Sequence, residues 1–220
     1  MDDARFAEVD RWIARHLLPD DPILDSVLEA GRTAGLPEID VSPLLGALLG
    51  VLAHAVNARR ILEIGTLGGY SAIWMARALP ADGRLVTLEA NPRHAEVARA
   101  NVARADLAKR IDIRVGAALD LLPGLVDEGH AFDMAFIDAD KENNAAYADW
   151  AATLVRPGGL VVIDNVVRAG RITDPADTHP QVEGTRSLYA AMRMDPRFEA
   201  SALQTVGVKG WDGILIARRR

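Results

Sequence analysis

The chain has 220 residues, of which half are hydrophobic and a quarter are charged, and its formal net charge is −6. This composition is typical of a globular protein with a sizeable core, and the length suits one α/β domain better than two. The absence of cysteine excludes disulfides, thiolate metal sites and a cysteine nucleophile. No basic patch precedes the closing Arg218-Arg219-Arg220, so we expect no nucleic-acid partner.

The first quarter of the sequence predicts helices. Apolar residues recur at near-helical spacing over residues 3–18, a second helix is expected after Pro22, and a third over 43–57. We interpret residues 1–57 as an N-terminal helical cap.

Neither a signal peptide nor a membrane span is predicted. The opening stretch, Met1–Arg5, is acidic and has no apolar signal-peptide core behind it. The longest nearly apolar run, Pro43–Val56, is interrupted by His54 and is too short to cross a bilayer. We therefore expect a cytoplasmic protein without a membrane partner.

From Arg59 onward, short apolar runs alternate with amphipathic helices. The predicted strands are 61–64, 84–89, 111–115, 132–137 and 159–163, and the predicted helices are 71–79, 92–105, 117–126, 143–154 and 182–194. Residues 168–180 predict a loop, and the runs 201–206 and 213–217 predict a final hairpin. This alternation predicts an α/β fold, with a mostly parallel sheet, helices on both faces and an antiparallel edge. We expect a single domain over residues 1–220 with its α/β core at 58–220.

Oxygen-bearing side chains follow two of the predicted strands. Asp138, Asp140 and Lys141 come directly after the strand 132–137, and Asp164-Asn165 follows the strand 159–163. In open α/β sheets ligands bind beyond the carboxyl ends of strands, and oxygen ligands without histidine or cysteine suit Mg²⁺, Mn²⁺ or Ca²⁺ rather than zinc. Helix capping by Asp and Asn is the structural alternative.

Lys141 lies just beyond this expected metal site. A lysine beside a divalent cation would have its ammonium form disfavoured, and it could then act as a base near neutral pH. The alternative for Lys141 is an ordinary surface lysine.

A glycine-rich turn follows the first strand, in the stretch Glu63–Ser71. Its spacing is neither the dinucleotide fingerprint nor a phosphate loop, and it is not a nucleophile elbow. Glu63 is an unexpected carboxylate inside a strand and needs a partner when buried. Glu89, at the end of the second strand, is placed to accept hydrogen bonds from a ribose diol, although a solvated strand end is the alternative. Together these features favour a ribose-containing cofactor.

In combination, these motifs resemble the class I cation-dependent O-methyltransferases, the family of the catechol and caffeoyl-CoA enzymes, and the bacterial caffeoyl-CoA-like branch in particular. The resemblance covers residues 38–217. It is carried by the segments Leu62–Thr66, Gly69–Ser71, Phe136–Lys141, Gly158-Gly159, Asp164-Asn165 and Val206–Gly213.

The resemblance implies a Rossmann-like fold with a seven-stranded sheet whose last strand is antiparallel, and the cofactor S-adenosylmethionine. It implies contacts to the cofactor from Val41, Glu63, Gly65, Thr66, Ser71, Glu89, Ala117, Ala118, Asp138 and Asp140. It implies the metal ligands Asp138, Asp164 and Asn165, with Mg²⁺ as the expected ion, and Lys141 as the general base. Arg168 and Trp211 are candidates for the acceptor side, although Trp211 could equally pack at a turn.

The implied reaction is methyl transfer to a phenolic hydroxyl of a small vicinal diphenol, and the family implies a homodimer. The sequence departs from the family pattern at Leu44-Leu45, where relatives carry a polar pair, at Asn144, where a tyrosine is common, and at Ala117. Two alternatives stay open: a nicotinamide-dependent oxidoreductase, and a non-catalytic protein that binds S-adenosylmethionine.

Overall fold

The computed structural model describes residues 3–220 of the chain. The strands are β1 (Arg60–Ile64), β2 (Arg84–Glu89), β3 (Ile111–Val115), β4 (Phe132–Ile137), β5 (Val155–Asp164), β6 (Phe198–Gly207) and β7 (Gly210–Arg219). The helices are α1 (Asp3–Leu17), α2 (Pro22–Thr33), α3 (Pro43–Ala55), α4 (Tyr70–Ala78), α5 (Pro92–Arg104), α6 (Ala118–Asp127), α7 (Asn144–Leu154) and α8 (Pro180–Met194).

The strands form one seven-stranded sheet in the order β3-β2-β1-β4-β5-β7-β6. Neighbouring strands from β3 to β5 are parallel, and β7 runs antiparallel to both β5 and β6. The prediction of a mostly parallel sheet with an antiparallel last strand is therefore confirmed. The single-domain prediction includes Met1 and Asp2, which lie outside the described residues, and it stays a prediction.

Helices cover both faces of the sheet because successive strand residues point to opposite sides. Leu62 and Ile137 pack with α6, α7 and α8 in one apolar cluster. Ile61 and Phe136 pack in a second cluster with α2, α3, α4 and α5. The second and third helices of the predicted N-terminal cap therefore contribute to the apolar core on one face of the sheet. Across residues 3–220, none of the helices has the length and apolarity that a membrane crossing requires.

β5 begins at Val155, four residues before Gly159, where the predicted strand begins. Val155 already pairs with Phe132 of β4, and the register then shifts. Gly158 has a φ of +82°, so the Pro-Gly-Gly stretch, which has the composition of a turn, forms an irregularity within the strand. The final hairpin is also longer than predicted, because β6 and β7 pair along their full length.

Residues 168–180, predicted as a loop, contain two short 3₁₀ turns within Arg168–Thr173, separated by a kink at Ala169 and Gly170. The side chain of Arg186, in α8, binds backbone carbonyl groups of this segment. Its guanidinium donates to the carbonyl oxygens of Ile172 at 3.0 Å and Asp177 at 2.8 Å. These bonds tie the segment to the helix that follows it.

The carboxyl ends of β1 and β4 meet at Gly65. The Asp138 N–H donates to the Ile64 carbonyl at 2.9 Å. Gly65 has a φ of +99°, and a Cβ atom there would collide with the carbonyl oxygen of Asp138. Since L side chains rarely adopt that φ, two independent constraints require glycine at this position.

We predict that Gly65→Ala lowers the free energy of unfolding by about 2–4 kcal/mol, from backbone strain together with overpacking. Urea unfolding of the wild type and the variant measures the change. Gly31→Ala is the matched control, because a Cβ at Gly31 meets nothing within 4 Å and a helical Gly→Ala change is stabilising by about 0.5–1 kcal/mol. Equal stability of Gly65→Ala and the wild type would contradict the prediction.

Candidate active site

A cavity of ≈ 520 Å³ lies beyond the carboxyl ends of β1, β2 and β4. We call it the strand-end cavity. Many of the residues singled out in the sequence line it: Val41, Gly65, Thr66, Ser71, Glu89, Ala118, Asp138, Asp140, Lys141, Asn165 and Arg168. The topology of the sheet therefore brings most of the predicted site into one place.

Glu89 is fixed in this cavity by backbone amides. Its Oε2 accepts from the N–H groups of Thr66 at 3.1 Å and Leu67 at 2.8 Å, and its Oε1 accepts from Asn91 at 2.9 Å. His94 lies 3.5 Å from the same Oε1. The carboxylate is thus held in one orientation at the cavity wall, where it can still accept from a ligand.

Glu63 lies beneath the wall and is fully buried. Its carboxyl oxygens accept from Ser71 Oγ and Thr87 Oγ1, each at 2.6 Å. Thr87 Oγ1 is in turn 2.5 Å from Thr66 Oγ1. The partners that this buried carboxylate needs are therefore supplied by hydroxyl groups of the protein itself, whereas the sequence had suggested a ligand in that role. Burial raises the pKa of Glu63 to about 8, and the hydroxyl hydrogen bonds only partly oppose that rise.

Lys141 forms an ion pair with Asp138, its Nζ donating to Oδ1 at 2.6 Å. The lysine is only 6% exposed, so it is not an ordinary surface lysine. Asp140 is held differently, because it accepts from the Tyr147 hydroxyl at 2.6 Å and from Asn143. The two aspartates that follow β4 therefore have separate partners.

Asp164 and Asn165 end β5 beside this pair. Asp164 is buried, and its Oδ1 accepts from the Asn165 N–H at 2.7 Å. Asn165 has a φ of +58°, a conformation that asparagine tolerates better than most residues. Burial, and next the charge of Asp138, raise the pKa of Asp164 to about 7.

These groups fit a hard cation in their chemistry. Two neighbouring carboxylates raise each other's energy, and a cation between them would relieve that repulsion. In the part of the chain that the structure describes, no three His, Cys, Asp or Glu side chains group as a metal cluster. The family resemblance assigns the third protein ligand of such a cation to Asn165, whose amide oxygen is a suitable donor for a hard ion.

A second cavity of ≈ 680 Å³ adjoins the first. It lies between α3, the end of β5 and the β6–β7 hairpin, and we call it the hairpin cavity. Its wall includes Leu44, Leu45 and Asp164. The two cavities share the wall residues Ile39, Asp40, Val41, Asn165 and Arg168. Two ligands, one bound in each cavity, would thus lie next to each other.

Arg168 is the acceptor-side candidate that reaches both cavities. Its Nη2 donates to Gln181 at 2.6 Å, and its Nη1 lies 3.8 Å from Asp212. Asp212 also accepts from the backbone N–H groups of Val167 and Arg168, each at 2.9 Å. Asp212 thereby fixes the turn after β5, a role the sequence analysis missed although the residue lies in a conspicuous Gly-Trp-Asp-Gly stretch at the start of β7.

Three of the predicted residues line neither cavity: Glu63, which lies beneath the wall, Trp211 and Ala117. Trp211 lies in β7, where it packs over Gly170 and donates its indole N–H to Gln204 at 2.9 Å. Ala117 is exposed at the start of α6, whereas Ala118 faces the strand-end cavity. Sequence reasoning also missed Tyr70, which lines that cavity at the first residue of α4.

Comparisons with known proteins give a consistent result over nearly the whole chain. A family model described as O-methyltransferase matches residues 15–220. A catechol O-methyltransferase of Mycobacterium tuberculosis is 50% identical over 210 residues, which cover 96% of this chain and 94% of the relative. A catechol O-methyltransferase of Niastella koreensis is 47% identical over 99% of each chain. The crystal structure of the O-methyltransferase from Bacillus cereus in complex with SAH has a TM-score of 0.97 at 47% identity, covering 99% of this chain and 100% of that one.

The buried carboxyl of Glu63 predicts a pH-dependent stability. Its pKa rises from 4.5 to about 8 on folding, so the unfolded chain releases the proton first as the pH increases. The free energy of unfolding therefore falls between about pH 4.5 and pH 8, by at most about 1.4 kcal/mol per pH unit from this group. Urea unfolding at a series of pH values should show that fall in the wild type and a flatter profile in Glu63→Gln. The exposed Glu96→Gln change is the control, and parallel profiles for Glu63→Gln and the wild type would contradict the prediction.

Proposed function

The chain belongs to the O-methyltransferase family, and on that premise we propose that it moves the methyl group of S-adenosylmethionine to a phenolic hydroxyl of a small vicinal diphenol, with the help of a divalent cation. One observation carries this proposal. The strand-end and hairpin cavities share a wall that includes Asn165, while Asp138 and Lys141 line the first cavity and Asp164 lines the second.

The strand-end cavity suits the cofactor in size and charge. Its volume of ≈ 520 Å³ lies within the range of about 300–1,000 Å³ for small-molecule sites. S-adenosylmethionine carries a sulfonium and an ammonium against one carboxylate, so its net charge is positive. Glu89, Asp138 and Asp140 supply negative charge on the wall. Glu89, held by three backbone amides, is the acceptor we assign to the ribose hydroxyls.

The hairpin cavity is the place we assign to the phenolic acceptor. Leu44 and Leu45 supply an apolar surface against which an aromatic ring can pack. Arg168, whose guanidinium is held by Gln181 and lies near Asp212, closes the side next to the cofactor. Methyl donor and acceptor held in adjoining cavities gain the advantage of proximity, which can be worth about 7–11 kcal/mol of a reaction barrier.

Asp138, Asp164 and Asn165 are the residues we assign to a divalent cation, with Mg²⁺ as the first expectation and Mn²⁺ or Ca²⁺ as alternatives. When bound, such an ion supplies Lewis acidity that polarises a phenolic oxygen. The free phenol has a pKa of about 10 and is a poor nucleophile near neutral pH.

Lys141 is the residue we assign to removal of the phenolic proton. Its ammonium is buried and ion-paired with Asp138, so its position is fixed before the acceptor binds. A deprotonated Nζ at that place can take the proton from the attacking hydroxyl. Asp138 then serves two roles, since it orients the lysine and belongs to the cation site.

The alternative of a nicotinamide-dependent oxidoreductase has lost its support, because the family and the similar proteins are O-methyltransferases. A non-catalytic protein that binds S-adenosylmethionine is disfavoured by Lys141 together with the three proposed cation ligands. We also propose a cytoplasmic location, which fractionation of the producing cells would test.

Lys141→Met should lower the turnover of a simple catechol by about 100- to 10,000-fold, the usual contribution of a general base, while cofactor binding changes little. Single-turnover assays and calorimetric titration with S-adenosylmethionine measure the two effects separately. Lys109→Met, at an exposed lysine, is the matched control. A large loss of cofactor affinity in Lys141→Met would contradict the assignment of a base.

Methyl transfer to catechol should stop in excess chelator and return when Mg²⁺ is restored. Asp164→Asn should lose the response to Mg²⁺ and keep cofactor binding, because Asp164 lines the hairpin cavity and not the strand-end cavity. The exposed Asp174→Asn change is its control. Full activity of the wild type in chelator would overturn the cation assignment.

We further propose that two copies associate through β6 and α1. β6 ends the sheet, its residues from Glu199 to Val206 are exposed, and Trp12 of α1 is 55% exposed. An open strand edge with apolar side chains is a common pairing surface. Sedimentation velocity should show a dimer that Leu203→Glu weakens and that Val126→Glu, at an exposed valine of α6, leaves intact. A monomeric wild type would contradict the proposal.

A further inference from the structure

Asp40 lies at the boundary between the two cavities. It precedes α3 by a short connecting segment, and it lines both the strand-end and hairpin cavities. The residue is half-buried. Burial, as the largest influence, raises the pKa of its carboxyl above the ordinary value.

The fold makes little use of the Asp40 carboxylate. Among residues 3–220, no ion pair within 4.0 Å involves Asp40, and its own backbone supplies the hydrogen bond that lowers its pKa. The ammonium of Lys209 attracts it only through space, and that ammonium donates to the Glu38 carbonyl at 3.1 Å. Asp40 is therefore available to a ligand.

The other aspartates around the hairpin cavity are engaged. Asp10 accepts from the Val208 N–H at 2.9 Å and so joins α1 to the β6–β7 turn. Asp212 holds the backbone after β5, and Asp164 belongs to the proposed cation site. Glu38 is exposed, so its charge is screened by solvent and salt. Asp40 is the half-buried acid of this wall that has no ion pair within 4.0 Å among the described residues.

The hairpin cavity is negatively charged as a whole. Its wall carries five acidic residues and two basic ones: Asp10, Glu38, Asp40, Asp164 and Asp212 against Arg168 and Lys209. Arg168 is already close to Asp212. A bound divalent cation would reduce the negative charge without reversing it. An anionic group on the acceptor would thus enter a cavity of its own sign.

We propose that Asp40 selects the methyl acceptor by charge, so that the hairpin cavity prefers catechols with a cationic ring substituent and discriminates against those with a carboxylate. This inference rests on the proposed function of the same site. It assigns Asp40 a role in specificity and none in the chemical step.

The wild type provides the first test. Methyl transfer is measured on three catechols that differ in the substituent para to one hydroxyl: methyl, 2-aminoethyl and carboxymethyl. We expect kcat/KM to be highest for the amine and lowest for the carboxylate, with most of the difference in KM. A wild type that prefers the carboxylate overturns the proposal.

The variant test uses Asp40→Asn, which removes the charge and keeps the shape. The ratio of kcat/KM for the amine to that for the carboxylate should fall about tenfold, equivalent to 1.4 kcal/mol. Asp20→Asn, at an exposed residue that lines neither cavity, controls for the change in net charge and should keep the wild-type ratio. Thermal unfolding verifies that Asp40→Asn is folded.

The remaining outcomes separate this proposal from its premise. An unchanged ratio in folded Asp40→Asn overturns the role of Asp40. Weaker binding of S-adenosylmethionine with an unchanged ratio also overturns it, because Asp40 would then act on the cofactor. Titration with the demethylated product, which keeps the ammonium and lacks the sulfonium charge, would show which of the two cationic groups Asp40 contacts. If the wild type methylates none of the three catechols, the proposed function itself fails.

Discussion

The site depends on one close backbone contact, between the turn after β1 and the first residue after β4. Gly65 permits the carbonyl of Asp138 to approach where any Cβ would collide. This contact brings the turn that holds Glu89 up against the segment that carries Lys141. Both segments leave the same edge of a parallel sheet. Gly65 therefore determines how closely the proposed cofactor site and the proposed acceptor site can approach each other.

Around that contact the chain concentrates carboxylates and stabilises each by a different means. Backbone amides hold Glu89, hydroxyl groups hold Glu63, and an ammonium holds Asp138. Asp164 accepts a hydrogen bond from the Asn165 N–H, and burial raises its pKa. The negative charge is therefore least compensated where we place the cation, and a positively charged cofactor and a divalent ion would both stabilise the arrangement on binding.

Much of the fold was predictable from the sequence, because apolar runs and helical spacing are local signals. The boundaries of β2, β3 and β4 agree with the prediction, whereas β5 was placed too late because a Pro-Gly-Gly stretch can form a bulge as well as a turn. The partners of Glu63 were beyond local reasoning, since Thr87 comes opposite it only through the β1–β2 register. Asp40 belongs to no motif, and only the cavities reveal it. The roles of the site residues rest on family resemblance together with their placement, and they stay predictions.

The hydrogen bonds from Arg186 to the segment after β5 affect which residues of that segment can change in evolution. The guanidinium donates hydrogen bonds to main-chain carbonyl groups, and every amino acid has such a group. Residues such as Ile172 can therefore be exchanged while the path of the chain beside Arg168 is preserved. The path of the backbone and the identity of the side chain are therefore independent at such positions, and a substitution there leaves the hydrogen bonds from Arg186 in place. A lineage could in this way change its small-molecule repertoire while the chemistry at the strand ends stays constant.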